Sequence, residues 1–123
     1  MKIGNFLVHE RNNRWGRDFL FMEENGIAVG RVYLYNDDKA VAYIEGLHVS
    51  ENNRRNRIGT NLINMLIEKC KELDADVCML WCYTDDWVHD WYKKLGFKDN
   101  GEYQYDDNAI WMVKTIRNDG HRI

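Results

Sequence analysis

Residues 54–60 read Arg54-Arg55-Asn56-Arg57-Ile58-Gly59-Thr60, and apolar residues at intervals of three and four begin immediately after them. If a helix starts near Arg57, the arginines crowd the positive end of its dipole, where cations are disfavoured by about 0.3–1 kcal/mol each. Gly59 costs about 1 kcal/mol more than alanine inside a helix. An anion seated at the helix start offsets both. The first turn offers N–H groups, Gly59 leaves the backbone open to approach, and guanidinium groups fork onto phosphate oxygens. The stretch reads as a pyrophosphate cradle; the competing reading is a solvated basic turn that happens to start a helix. Neither G-x-x-x-x-G-K-[ST] nor G-x-G-x-x-G is present, which removes the main support for nucleotide hydrolysis or Rossmann-type cofactor binding.

The elements that must hold this stretch follow from periodicity. Residues 3–9 read as a first strand, and a polar loop runs on to Arg17. Residues 19–23 and 27–35 flank Asn25-Gly26, a two-residue hairpin signal because both positions tolerate φ > 0. Asn36-Asp37-Asp38 marks a turn, and residues 40–49 make a fourth strand. From about 57 to 73 the period changes: Ile58, Leu62, Leu66, Cys70 and Leu73 recur at helical spacing, widened by Ile63 and Ile67. The apolar run 77–83 suits a strand with a parallel neighbour, giving one right-handed βαβ crossover. Thr84, Asp85 or Asp86 can cap a second helix, which Gly96 ends as a C′ glycine with Phe97 folding back on its last turn. Asp99-Asn100-Gly101 and Asp106-Asp107-Asn108 read as turns between two further strands, the last ending at residues 109–116. Residues 117–123 read as a frayed tail.

The 123 residues, 45% apolar and 13% aromatic, suffice for one domain with a hydrophobic core. With 17 basic and 20 acidic residues the net charge is −3, so there is no general attraction to nucleic acid or anionic membrane, and any anion site is local. No run approaches the roughly 18 apolar residues of a membrane span, and the N-terminus has no signal-peptide core, so a cytoplasmic location is expected. Cys70, Cys78 and Cys82 are odd in number and lack a C-x-x-C pair, which suits reduced core thiols. His9, His89 and His121 have no ligand-like spacing, and no metal is assigned.

Leu47-His48-Val49, four residues, then Arg54-Arg55-x-Arg57-Ile58-Gly59-Thr60-x-Leu62 form a strand-to-helix block. Downstream stands Trp87-Val88-x-x-Trp91-Tyr92-Lys93-Lys94-Leu95-Gly96-Phe97. Together they resemble the GNAT superfamily of acyl-CoA N-acyltransferases. The first block is similar to that family's motif A, with core R/Q-x-x-G-x-G/A, and the second to its motif B, typically F-Y-E-K-L-G-F. The resemblance covers about residues 3–116 and implies an α/β (α+β) fold: a mixed, mainly antiparallel sheet of about seven strands, a central βαβ unit and two main helices. Two departures stand out. Arg57 occupies the position of the family's first motif A glycine: with helical φ it can point outward and add charge, whereas a need for φ > 0 would harm binding. Only residues 10–17 fill the place of the family's first two helices, so the acceptor groove is open or completed by another subunit.

The resemblance implies acetyl-CoA as co-substrate and transfer of acetyl to an amine by direct attack, without a covalent enzyme intermediate. Leu47, His48, Val49, Arg54, Arg55, Asn56, Arg57, Ile58, Gly59, Thr60 and Tyr92 would then contact the cofactor, with the Val49 N–H at the thioester oxygen. Tyr92 matches the motif B tyrosine, a general acid for the leaving thiolate; otherwise it is a core aromatic. For the base Glu45 is favoured, because strict alternation places Val41, Tyr43, Glu45, Leu47 and Val49 on one face, an apolar row that raises a carboxyl pKa. The alternative is a carboxylate salt-bridged to a neighbouring strand. His48 is the second candidate, on the other face unless a bulge shifts the alternation. Trp15 either touches the acceptor or caps the sheet edge. The run Tyr43-Ile44-Glu45-Gly46-Leu47-His48-Val49, with the ending Ile110-Trp111-Met112-Val113-Lys114-Thr115-Ile116, is closer to aminoglycoside 6′-N-acetyltransferases than to histone or ribosomal-protein acetyltransferases.

The expected acceptor is a small-molecule primary amine, because no acidic docking groove for a protein lysine can be read, with no nucleic-acid or membrane partner and a homodimer as an option. The competing readings are a noncatalytic CoA-binding module and an acetyltransferase of peptide or protein amines.

Overall fold

Leu62, Ile63, Leu66, Ile67 and Cys70 form one stripe along α1 (Ile58–Glu72), and all five are buried. They pack on Val32 of β4 (Ala28–Tyr35), on Ala42 and Ile44 of β5 (Asp38–Val49), and on Cys78 and Leu80 of β6 (Val77–Tyr83), within one core. Gly30 permits the approach of α1 to the sheet: a Cβ there would lie 2.8 Å from Leu66 Cδ1. The remaining elements are β1 (Lys2–Ile3), β2 (Phe6–Glu10), β3 (Gly16–Glu23), α2 (Trp87–Lys94), β7 (Lys98–Tyr103) and β8 (Ala109–Thr115). The computed structural model describes residues 1–52, 57–103 and 108–117.

Eight strands form one sheet in the order β1-β2-β3-β4-β5-β6-β8-β7. Among the described residues only β5 and β6 pair in parallel, and every other neighbouring pair in this order is antiparallel. Asp86 caps α2, its side chain accepting from the Val88 N–H. Gly96 (φ 98°) ends the helix, and Phe97 N–H returns to the Tyr92 carbonyl at 3.0 Å with the two rings 5.7 Å apart. Tyr92 and Phe97 belong to the same core as α1, so both helices lie on one face of the sheet. No helix among the described residues is long and apolar enough to cross a membrane.

Three local expectations are corrected. The expected first strand is a small hairpin, β1 pairing β2 through Lys2↔Leu7 and Ile3↔Phe6, because Gly4 turns the chain at φ 56°. This makes eight strands rather than seven. The hairpin between β3 and β4 does not use a two-residue turn with both positions left-handed: Gly26 has φ 76° while Asn25 is not among the positive-φ residues. The buried Glu23 carboxylate braces this longer loop, accepting from the N–H groups of Asn25 (2.6 Å) and Ile27 (3.4 Å). Asp99-Asn100-Gly101 lies within β7 as an irregularity in its pairing with β8, instead of forming a separate turn. The expected turn at 106–107 and tail beyond 117 lie outside the described residues.

Candidate active site

β5 and β6 pair only through Val41↔Val77, Ala42↔Cys78 and Tyr43↔Met79. Beyond these, β5 runs on to Val49 and β6 to Tyr83 without ladder pairs, and the sheet parts. The cause lies in β5. Val29 pairs with His48 and Arg31 with Glu45, so β5 has one residue more than β4 across this step, and Gly46 sits there at φ 61°. An extra residue in one strand bends it and increases its twist.

The bulge also reassigns the faces. Ala42 and Ile44 point into the core beside α1; after Gly46 the alternation is offset, so Leu47 and Val49 pack against that core too. A Cβ at Gly30 would meet Leu47 Cδ1 at 3.5 Å, and one at Gly59 would meet Val49 Cγ2 at 3.5 Å. The expected row of Val41, Tyr43, Glu45, Leu47 and Val49 on one face is therefore broken at Gly46. Glu45 stays on the face of Tyr43, and His48 joins it. The surroundings of Glu45 are not an apolar row either, because its cross-strand partner is Arg31. The Arg31 guanidinium is turned onto Asp18, only 6% exposed, with Nε and Nη2 donating at 3.2 and 2.9 Å; Arg11 Nη2 donates to the same carboxylate at 3.1 Å.

Two hollows meet at the parting. On the helix side a cleft of about 450 Å³ is lined by Leu47, His48, Val49, Gly59 and Thr60 on one wall, and by α2 with the end of β6 on the other. A second hollow of about 360 Å³ is lined by Glu45, Gly46, Trp81 and Trp111. Leu47, Trp81 and Tyr92 border both, so the gap joins the two sides of the sheet. Both volumes are of small-molecule size. Tyr92 is 7% exposed, and burial, then the neighbouring Cys82 and Asp86, push its phenol pKa well above the ordinary value. The phenol of this residue bordering the gap thus keeps its proton.

The acetyltransferase (GNAT) family matches residues 4–97. The chain belongs to the GNAT acetyltransferase family. Solved structures share its fold. A GNAT family acetyltransferase from Elizabethkingia anophelis with acetyl-CoA bound is 16% identical, over 92% of this chain and 99% of that one, with a TM-score of 0.64. Aminoglycoside 6′-acetyltransferase type Ii is 24% identical over 86% and 72% of the two chains, TM-score 0.67. Nourseothricin acetyltransferase is 14% identical over 92% and 85%, TM-score 0.68. No curated protein matches the sequence significantly.

In this GNAT domain the site residues expected from the sequence do not all come together. Leu47, His48, Val49, Gly59, Thr60 and Tyr92 come together around the larger cleft, with Glu45 on the smaller hollow. Ile58 turns away: its side chain lines a hollow on the far side of α1 with Phe6 and Met65, leaving only its backbone for a ligand at the helix start. Arg54, Arg55 and Asn56 lie outside the described residues. Trp15 is 62% exposed under the Arg14 guanidinium at 4.6 Å, and its carbonyl accepts from Asn36 N–H. It therefore sits at the Asp38 end of β5, at the other end of the strand from the cleft. The signal sequence reasoning underused was the run Trp81-Cys82-Tyr83 and the faces of Trp87 and Trp91, which wall the cleft.

Arg57 is the N-cap of α1, with φ 61° and ψ 11° and no side-chain capping bond. The position does require a left-handed backbone. That conformation costs a non-glycine residue about 1–2 kcal/mol, while glycine's added chain entropy takes back roughly 0.5–1 kcal/mol. Arg57→Gly is expected to raise unfolding stability by about 0.5–1 kcal/mol, seen as a higher urea midpoint at unchanged slope. An unchanged or lower midpoint means the side chain makes compensating interactions.

Proposed function

We propose that this chain transfers acetyl from acetyl-CoA to a primary amine of a small molecule, by direct attack of the amine on the thioester. The observation that carries the reading is the junction of two hollows at the parting of β5 and β6, bordered by Tyr92. A cofactor on the helix side and an acceptor on the opposite side can meet there.

The pyrophosphate belongs at the start of α1, where the first-turn N–H groups and the residues Arg54, Arg55, Asn56, Arg57, Ile58, Gly59 and Thr60 converge in sequence. The pantetheine arm follows Leu47, His48 and Val49 toward the gap. Ser50 N–H donates to the Ile27 carbonyl on the β4 side at 2.8 Å. Consecutive strand N–H groups alternate sides, so that of Val49 is directed toward β6, the orientation an oxyanion contact needs. Glu45 receives the ammonium proton, directly or through water. Nitrogen attacks the carbonyl carbon, the tetrahedral oxyanion collapses, and the C–S bond breaks as the Tyr92 hydroxyl protonates the departing sulfur; the second proton of the now cationic nitrogen passes through water to the Tyr92 phenolate. The cytoplasm is the compartment that fits the three buried free thiols.

Isothermal titration with acetyl-CoA is the first test, followed by free-thiol release with a panel of amines. Binding in the submillimolar range with amine-dependent thiol release is expected; no binding sinks the proposal. The strained Arg57 favours a second reading, a noncatalytic CoA-binding module, which predicts binding without thiol release for every amine.

A further inference from the structure

The smaller hollow opens on the sheet face opposite the helices, and from its rim a row of rings runs toward the start of β5. Trp111 and Tyr43 lie 5.7 Å apart between centroids, Tyr43 and Tyr35 5.7 Å, and Tyr35 and Tyr33 4.7 Å. Because Trp111 lines the hollow together with Glu45 and Tyr92, the row begins at the gap itself. Carboxylates accompany it. Glu45 lies two residues from Tyr43 on the same face, and Asp38 pairs with Tyr35 across β4 and β5. Glu102 precedes Tyr103, which pairs with Ile110 next to Trp111, and burial, then Asp38, Tyr35, Glu102 and Glu45, raise the Tyr43 phenol pKa. The neighbouring cation, Arg31, is turned onto Asp18.

We propose that the row holds the body of a linear aliphatic polyamine, with one terminal amine in the hollow at Glu45 and Tyr92 and the other ammonium groups over Tyr43 and Tyr35, between Asp38 and Glu102. The proposal rests on the acetyl-transfer reading above and names its acceptor class. Ring faces attract ammonium groups through their quadrupole, and alkyl spacers bury against aromatic surface. An aminosugar is a bulky, rigid body with many hydroxyl groups, whereas ring faces in single file offer a narrow track that suits an alkyl chain. A simple monoamine leaves the carboxylates beyond Glu45 unused.

The test compares spermidine, n-butylamine, kanamycin and a lysine-containing peptide as acceptors with saturating acetyl-CoA. Spermidine is expected to show kcat/KM at least about tenfold above each of the others: n-butylamine lacks its second and third charges, and kanamycin and the peptide do not carry theirs along a bare alkyl chain. In the double variant Asp38→Asn, Glu102→Gln the ratio of spermidine to n-butylamine kcat/KM is expected to fall about tenfold. A preference for kanamycin or the peptide overturns the inference alone and leaves acetyl transfer standing. So does a ratio that the double variant does not change. If acetyl-CoA does not bind or no acceptor turns over, the functional reading fails. Spermidine affinity measured by tryptophan fluorescence then decides the acceptor site separately: saturable binding weakened in the double variant supports it, and absent binding overturns it.

Discussion

Tyr92→Phe is expected to lower acetyl-transfer turnover by about 100-fold or more, with the acetyl-CoA dissociation constant changed by no more than about twofold. The two numbers separate a proton donor from a packing residue. Tyr92 packs against Trp91 at 5.2 Å and Phe97 at 5.7 Å between ring centroids, contacts a phenylalanine preserves. What the substitution removes is the hydroxyl of a residue that borders both hollows. Burial, the main cause of the raised phenol pKa, keeps that hydroxyl protonated through neutral and mildly alkaline solution, so no alkaline loss of turnover below pH ~10 should come from Tyr92. Stability carries the same signature. The unfolded chain loses this proton above about pH 10 while the folded one holds it. The contribution is fully present below that pH and is lost as pH rises through the folded value. Between those limits Tyr92→Phe should make the decline shallower by about 1.4 kcal/mol per pH unit. Equal turnover in the variant would remove Tyr92 from the mechanism.

The order of elements and the pairing of α1 with its flanking strands could be read from the sequence because period and burial agree there. The stripe from Leu62 to Cys70 has one face to bury, and the run Val77–Tyr83 needs two covered faces or a parallel neighbour. The misreadings share a physical cause, left-handed glycines whose effect depends on the partner strand. Gly4 splits one strand into a hairpin, Gly101 sits inside β7, and Gly46 inserts a bulge. The last matters most for function. Alternation alone puts Glu45 with Leu47 and Val49; the bulge separates them and brings His48 to the Glu45 face, an outcome visible only in the register with β4. Arg57 is the converse. Family resemblance marked the position as one that wants glycine, and the backbone conformation there agrees.

Gly59→Ala should separate stability from cofactor affinity. The methyl would stand 3.5 Å from Val49 Cγ2 and 3.7 and 3.9 Å from Trp91 Cη2 and Cζ2, all ordinary van der Waals contacts. Nothing in the protein's own packing therefore demands glycine here, unlike Gly30, where a Cβ would press on Leu66 at 2.8 Å. In the first turn of a helix alanine is the better residue, and unfolding stability should rise by up to about 1 kcal/mol. Yet the methyl would occupy cleft space between Val49 and Trp91, both of which line the larger hollow. It would also hold a phosphate away from the N–H groups at the helix start, where short, charge-assisted bonds depend on close approach. Acetyl-CoA affinity should fall about tenfold, or about 1.4 kcal/mol, read by titration calorimetry beside a urea melt. Unchanged affinity would move the pyrophosphate off the start of α1. A fall in both quantities would mean that the methyl disturbs the helix rather than the ligand. A more stable protein that binds its cofactor worse is the outcome that makes Gly59 a residue kept for the ligand, since folding alone would choose alanine.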